Sequence, residues 1–148
     1  MRPVIHTFKI AAGLTLIALL DSCSHFSSHY NAVRHENFTK LYAFHSKFIE
    51  DFSDSSKQLS AEDARRVCDQ GDLKFREALI YARSQDNRDS LGTRAVRVLE
   101  DQFQDDCALA MDQGVPLHKE WADEQLLTIK ENYGRAIQGE LWRFKNEE

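Results

Sequence analysis

The sequence has little proline and glycine, with two prolines and six glycines in 148 residues. Both residue types interrupt regular structure, and good helix formers dominate in their place, so the composition favours an all-helical protein. The chain also lacks a glycine-rich phosphate loop, a G-x-S-x-G segment and an H-E-x-x-H segment. The sequence also shows no other recognisable set of catalytic residues, and we therefore expect a protein that is not an enzyme.

Long hydrophobic runs and an excess of basic residues are missing as well. The longest apolar stretch is Ile10 to Leu20, which covers about half of the ~20 residues that a membrane-spanning helix needs. The formal net charge is −5. An acidic balance argues against a nucleic-acid partner and against a polybasic attachment to anionic lipid.

The apolar stretch has the flanks of an export signal: a short basic start before it and small residues just after it. The order Leu20-Asp21-Ser22-Cys23 resembles a bacterial lipoprotein signal, in which the cysteine becomes the lipidated first residue of the mature protein. The resemblance implies a cell-envelope protein held at a membrane by lipid on Cys23, and Ser24 goes with sorting to the outer membrane, on its periplasmic face. Asp21 departs from the family pattern. Cleavage after Ser24, which would give a soluble periplasmic protein, and an uncleaved anchor are the alternatives.

On this interpretation the chain consists of a signal peptide at 1–22, a flexible tether at 23–32 and a single helical domain at 33–148. The tether is rich in serine and histidine and shows no hydrophobic period. His25 and His29 lie four residues apart, so they would be candidate metal ligands if the tether were helical. No carboxylate or cysteine at a matching spacing supports them, and we expect neither a metal nor a cofactor.

The domain contains four segments in which apolar residues recur at helical spacing. We expect the second to start at Ser60, which can cap a helix, and the third to stop at Gly114. The fourth is predicted to start at Val115 and Pro116, since proline is accepted in the first turn. Gly71 either breaks the second helix or is tolerated inside it, and we favour one continuous or kinked helix. The inward positions are predicted to be Phe38, Leu41, Tyr42, His45, Phe48, Ile49 and Phe52; Ala64, Val67, Cys68, Phe75, Ala78, Leu79 and Ala82; Leu91, Ala95, Val98, Leu99, Phe103, Cys107 and Ala110; and Trp121, Leu126, Ile129, Tyr133, Ile137, Leu141 and Phe144.

Cys68 and Cys107 are predicted to form a disulfide. If the second and third helices fold back about a turn near residue 87 or 88, the two cysteines lie at nearly equal distances from that turn. They then lie at the same height on adjacent helices, which permits the Cα separation of about 5.5 Å that a disulfide needs in an oxidising compartment. Neither cysteine has a histidine nearby in sequence or a C-x-x-C spacing, so a nucleophilic or redox role lacks support. We therefore predict an up-down four-helix bundle with one internal disulfide.

Two other groups of residues could carry a function. The acidic pairs Glu100-Asp101 and Asp105-Asp106 could act as acid and base, but on an amphipathic helix we expect them on the solvent side. Trp121 and Trp142 lie on the fourth helix and are expected in the core or at its rim. If they are exposed, they would form a docking patch.

A small helical domain at a membrane suggests a binding protein. We expect an adaptor that offers a groove or an exposed apolar stripe to a periplasmic or outer-membrane protein. The alternative is a small-ligand or metal-binding bundle in envelope stress or immunity. The stretches Arg65 to Leu73 and Ala78 to Ala82 are similar to the first cysteine helix of the secretin pilotins, which are small helical lipoproteins with one internal disulfide. That similarity covers these two short stretches alone, and it implies a secretin chaperone as a further alternative.

Overall fold

The computed structural model describes residues 30–85 and 90–145, and most of them are helical. The helices are α1 (Ala32–Ser53), α2 (Ala61–Ser84), α3 (Ser90–Gln113) and α4 (Lys119–Lys145), and a 3-10 turn occupies Ser55–Lys57. The predicted signal peptide, the tether up to residue 29 and the predicted turn at 86–89 lie outside the described residues.

The four helices alternate in direction. α1 packs along α4, α2 packs along α3, and α1 also packs on α2, whereas α3 and α4 touch at few positions. Hydrogen bonds at both ends fix α1 and α4 as antiparallel neighbours: the Asn31 N–H donates to Glu140 Oε2 at 3.3 Å, and the Leu117 N–H donates to the Phe52 carbonyl at 2.8 Å. The prediction of an up-down four-helix bundle is confirmed.

Phe103 of α3 lies at the centre of the hydrophobic core. Its ring lies 5.7, 5.6 and 5.3 Å from the rings of Phe44, Phe48 and Phe75, measured between centroids. Gly71 lies against the same ring, because a Cβ built at this position would overlap the Phe103 ring carbons Cε1 and Cζ. Glycine therefore allows α2 to approach the core closely here, and α2 continues through Gly71 as expected.

The start of α2 at Ser60 and the end of α3 at Gly114 agree with the sequence prediction. Ser60 caps α2, and its hydroxyl and N–H form a reciprocal capping box with Asp63. Gly114 follows the last residue of α3 with a φ of +80°, the left-handed conformation that glycine adopts most readily at a helix end.

The predicted start of α4 is wrong. The helix begins at Lys119, not at Val115 and Pro116. The residues between α3 and α4 are held by Leu117, whose side chain is buried and whose N–H donates to the Phe52 carbonyl of α1. These contacts hold the segment against α1, and the chain turns into α4 only after it.

The predicted disulfide joins α2 to α3. Cys68 and Cys107 are bonded with an S–S distance of 2.15 Å and a Cα separation of 5.9 Å. Their equal distance from the connection between the two helices does place them at the same height.

Three side chains that were predicted to face the core are exposed, and one acidic residue that was predicted on the solvent side is buried. Leu91 and Val98 of α3 are 60% and 53% exposed, and Leu141 of α4 is 41% exposed. Part of the apolar stripe on α3 has no helix opposite it, because α3 and α4 make few contacts. Asp106 is buried because it bonds with polar groups of α1 and α4. The side chain of Phe144, which belongs to the predicted α4 stripe, lies outside what the structure describes.

Candidate functional site

An open groove of about 430 Å³ lies between α3 and α4, in the half of the bundle where α3 begins. We call it the α3/α4 groove. It is lined by Leu91, Arg94, Ala95, Val98 and Leu99 of α3 and by Asn132, Arg135 and Ala136 of α4. Its apolar side chains are partly open to solvent, as the exposure of Leu91 and Val98 shows.

We call the line along which α3 and α4 face each other the seam. At one end of the groove, hydrogen bonds between the two helices close this seam. The Gln125 amide donates to both carboxylate oxygens of Asp106, at 2.8 and 2.9 Å, and the Asn132 amide donates to Gln102 Oε1 at 2.9 Å. Beyond Asn132 the seam is lined by short side chains such as Ala95 and Ala136. Methyl groups cannot span the gap between the two helices, so the groove stays open.

Both charged residues that line the groove are arginines, Arg94 and Arg135. Arg135 pairs with Glu131 one turn away on α4, and both side chains are largely exposed. Exposed pairs of this kind contribute at most about 1 kcal/mol, so the Arg135 guanidinium can exchange Glu131 for another carboxylate at little cost. The groove lining therefore combines apolar side chains with two arginines, on a chain whose formal net charge is −5.

A buried polar network lies in the core beside this seam. His45 of α1 is fully buried, and its Nε2 lies 2.7 Å from Asp106 Oδ2 while its Nδ1 lies 3.2 Å from the Tyr133 hydroxyl oxygen. Because an ionised carboxylate can only accept, the Nε2–H donates to Asp106. Burial and the nearby Asp106 charge raise the pKa of Tyr133 well above its ordinary value, so the hydroxyl keeps its proton.

A hydrogen-bonded series of Asp, His and Tyr side chains could serve acid–base chemistry. Here all three side chains are buried, and their burial gives them a structural role. His45 and Tyr133 are completely buried and Asp106 nearly so, and each lies on a different helix. The network therefore fixes the positions of α1, α3 and α4 relative to one another along the bundle. The sequence signal for it was weak: His45 and Tyr133 stand inside apolar stripes, and only their polar atoms indicate that a partner must exist.

A second polar network lies at the end of the bundle where the chain enters α1. The Arg34 guanidinium donates to both oxygens of Glu140, with Nε to Oε1 at 2.6 Å and Nη2 to Oε2 at 3.1 Å, and Arg143 pairs with the same carboxylate. The Tyr81 hydroxyl donates to Asn31 Oδ1 at 2.8 Å. Arg34 and Glu140 are buried. These bonds join the start of α1 to the ends of α2 and α4, and we call them the end network.

The residues predicted from sequence as site residues fall in different places. Cys23, His25 and His29 lie outside the described residues, so lipidation and metal binding at these positions stay predictions. Trp121 is half buried and packs against the core, whereas Trp142 is 68% exposed. The two tryptophans lie 21 residues apart on one helix, about 31 Å, and therefore do not form one docking patch.

The disulfide leaves neither Cys68 nor Cys107 as a free thiol. Within residues 30–85 and 90–145 the structure brings together no group of three His, Cys, Asp or Glu side chains that could hold a metal ion. None of the described helices is both long enough and apolar enough to cross a bilayer. No protein-family model matches the chain, and comparison with curated proteins and with solved structures found no match.

Proposed function

We propose that this protein is a non-enzymatic lipoprotein of the bacterial envelope that binds another envelope protein through the α3/α4 groove. The observation that carries the proposal is the groove itself, an apolar lining left open between two helices of an otherwise closed bundle. The anchor rests on the Leu20-to-Cys23 sequence, and Ser24 favours the outer membrane. The partner is then a periplasmic or outer-membrane protein.

A helical segment of the partner suits the shape and chemistry of the groove. The distance from Leu91 to Val98 is about two helical turns, or roughly 10 Å. A partner helix with apolar residues at steps of three and four would cover this length. Arg94 and Arg135 favour a helix that carries Asp or Glu beside its apolar stripe, because the charges across the interface are then complementary.

A second copy of this chain suits the groove less well. A two-fold axis places the same surface patch of each copy against the other. Arg94 and Arg135 of one copy would then approach the same arginines of the other, and like charges in contact oppose binding. A different protein with carboxylates at the edges of its helix avoids this repulsion.

Photocrosslinking in intact cells tests the proposal. A photoreactive amino acid is placed at Val98 in the groove and, as a matched control, at Leu73, an exposed apolar position on α2. We expect Val98 alone to crosslink to one envelope protein. Mass spectrometry of the crosslinked peptide should show apolar residues at helical spacing with Asp or Glu beside them. Equal crosslinking from Leu73 would contradict binding through the groove.

Charge reversal tests the part played by the arginines. Arg94→Glu should weaken co-purification of the crosslinked protein, whereas Arg97→Glu, on the same helix but outside the groove lining, should not. Neither substitution should lower the melting temperature, because both side chains are exposed. If Arg94→Glu and Arg97→Glu have the same effect, the carboxylate requirement is wrong.

A further inference from the structure

Most of the strongly exposed apolar side chains lie at one end of the bundle. Eight large apolar residues are exposed among the described residues. Five of them come from the same end, with at least one from each helix: Val33, Ile80, Leu91, Leu141 and Trp142. We call these five the apolar collar.

The contacts of the end network show that the collar residues share one height. The Asn31 N–H bonds to Glu140 and the Asn31 side chain accepts from Tyr81. A Cβ built on Gly92 would lie 2.6 Å from Arg34 Nη1, so the start of α3 packs against the same end of α1. Each collar residue is within two positions of Asn31, Tyr81, Gly92 or Glu140, which is about 3 Å along a helix axis.

The collar lies where the chain from the predicted anchor enters the domain. Tyr30 is the first described residue, and it lies seven positions after Cys23 in the sequence. An extended chain of that length reaches at most about 25 Å, so a lipid on Cys23 would hold this end of the bundle near the bilayer surface. The opposite end, where Trp121 lies, is farther away by about 31 Å.

We propose that the apolar collar inserts into the interface of the membrane that holds Cys23, so that the bundle stands end-on with the start of α4 at the end far from the lipid. This inference rests on the lipid anchor of the proposed function. Tryptophan and aliphatic side chains partition favourably into the headgroup region, and Trp142 supplies the amphipathic ring that is typical of this depth. The anchor keeps the effective concentration of lipid near the collar high, so a weak interfacial preference is enough to orient the domain.

An end-on orientation also determines where the α3/α4 groove lies relative to the membrane. Leu91 belongs both to the collar and to the groove, so the groove opens at the membrane surface and extends away from it. A partner helix that binds there would be one that emerges from the same membrane or lies close to it.

The two tryptophans of the chain allow a direct test. The lipidated full-length protein is reconstituted into vesicles of phosphatidylethanolamine and phosphatidylglycerol that carry a nitroxide quencher in the headgroup region. Trp121→Phe leaves Trp142 as the reporter, and Trp142→Phe leaves Trp121. We expect loss of Trp142 fluorescence and no loss of Trp121 fluorescence. Quenching of neither tryptophan, or of both, would overturn the end-on collar.

Matched substitutions separate the collar from apolar surface in general. In the Trp142 reporter, Ile80→Ser with Leu91→Ser removes two collar side chains, whereas Leu73→Ser with Leu127→Ser removes two equally exposed apolar side chains at other heights. The first pair should reduce the quenching and the second should leave it unchanged; equal effects would contradict the proposal. Intact mass of the same samples shows whether the lipid is present, so a missing anchor is distinguished from a collar that does not insert.

Discussion

Gly71 occupies the closest approach of α2 to the core, and alanine there should destabilise the protein. The added Cβ would meet the Phe103 ring and a Phe44 ring carbon at 3.0 Å or less. Overpacking of a dense core costs about 1–3 kcal/mol, which exceeds the gain of about 1 kcal/mol that alanine gives over glycine in a helix. The measurement is the free energy of unfolding in urea.

Gly134 provides the matched control for this substitution. It lies inside α4, and a Cβ there meets nothing within 4 Å. Gly134→Ala should therefore raise stability by up to about 1 kcal/mol. If both alanine variants are stabilised, the Phe103 ring yields without cost and the packing argument fails.

Asp106 and its neighbour Asp105 should respond to alanine in opposite ways although they are adjacent in sequence. Asp106 is buried and bonds with His45 and Gln125, so its removal leaves the buried His45 and the half-buried Gln125 without this partner. Loss of one member of such a network costs about 3 kcal/mol. Asp105 is exposed, and Asp105→Ala should change stability by no more than about 0.5 kcal/mol. Chemical denaturation of both variants measures their free energies of unfolding. Similar losses of stability for the two variants would contradict the role of the network.

The burial of Asp106 could not be predicted from sequence, and the reason is physical. Acidic residues are almost always exposed unless they are paired, and the partners of Asp106 are 61 residues before it and 19 after it. Helical periodicity gives the face of a residue on its own helix, not the polar groups that other helices bring near it. Arg34 and Glu140, separated by 106 residues, escaped prediction for the same reason.

At the scale of the elements, α2 and α3 depend on the disulfide that joins them. It closes a sequence separation of 39 residues, for which the chain-entropy model gives a stabilisation of about 4 kcal/mol. The variant with both Cys68→Ser and Cys107→Ser should lose stability of this order, whereas the oxidised protein should resist unfolding until reductant is added. Melting temperatures with and without reductant provide the comparison, and the serine variant should not respond to reductant. Equal stability of both proteins would mean that helix packing alone holds the hairpin.

The start of α2 should be sensitive to acid. The Ser60 hydroxyl and N–H donate to the Asp63 carboxylate, and these bonds hold the pKa of Asp63 below its ordinary value. A lowered folded-state pKa means that the carboxylate stabilises the protein above its unfolded-state pKa of about 4, and that this contribution is lost as the pH falls through the folded-state value.

Asp63→Asn tests this dependence. The variant should be less stable than the natural protein at neutral pH, and the difference should shrink as the pH falls below about 4 and disappear below the lowered folded-state pKa of Asp63. Glu62→Gln removes another acidic residue of the first turn without touching the capping box, and it serves as the control. Urea denaturation over a series of pH values measures both, and a difference for Asp63→Asn that persists at low pH would contradict the assignment.

The elements themselves were largely predictable, because local signals specify them. Apolar spacing indicated α1, the cap at Ser60 indicated the start of α2, and equal distances from a turn indicated the disulfide. The exposure of Leu91, Val98 and Leu141 was not predictable, since an apolar stripe does not show whether another helix lies opposite each of its positions. The start of α4 depended on the contact between Leu117 and Phe52, which a local pattern does not contain.

For the molecule as a whole, the two ends of the bundle differ in a way that matters for function. One end carries the apolar collar, the end network and the entry of the chain. The other carries the disulfide and the link through Leu117. A domain that is joined by a disulfide near one end, and apolar at the end nearest the predicted anchor at Cys23, would be suited to bind a partner at a membrane surface.

Intact mass of the protein expressed with its own signal and extracted in detergent tests this arrangement as a whole. We expect residues 23–148 with a diacylglycerol and an acyl chain, heavier by about two hydrogens after reduction. The Cys23→Ser variant should lack the lipid and keep the reduction shift, because the disulfide does not depend on the anchor. A mass without lipid in the natural protein would mean that Asp21 blocks lipoprotein processing. The α3/α4 groove could then still bind a periplasmic protein, but the end-on collar would lose the membrane that it needs.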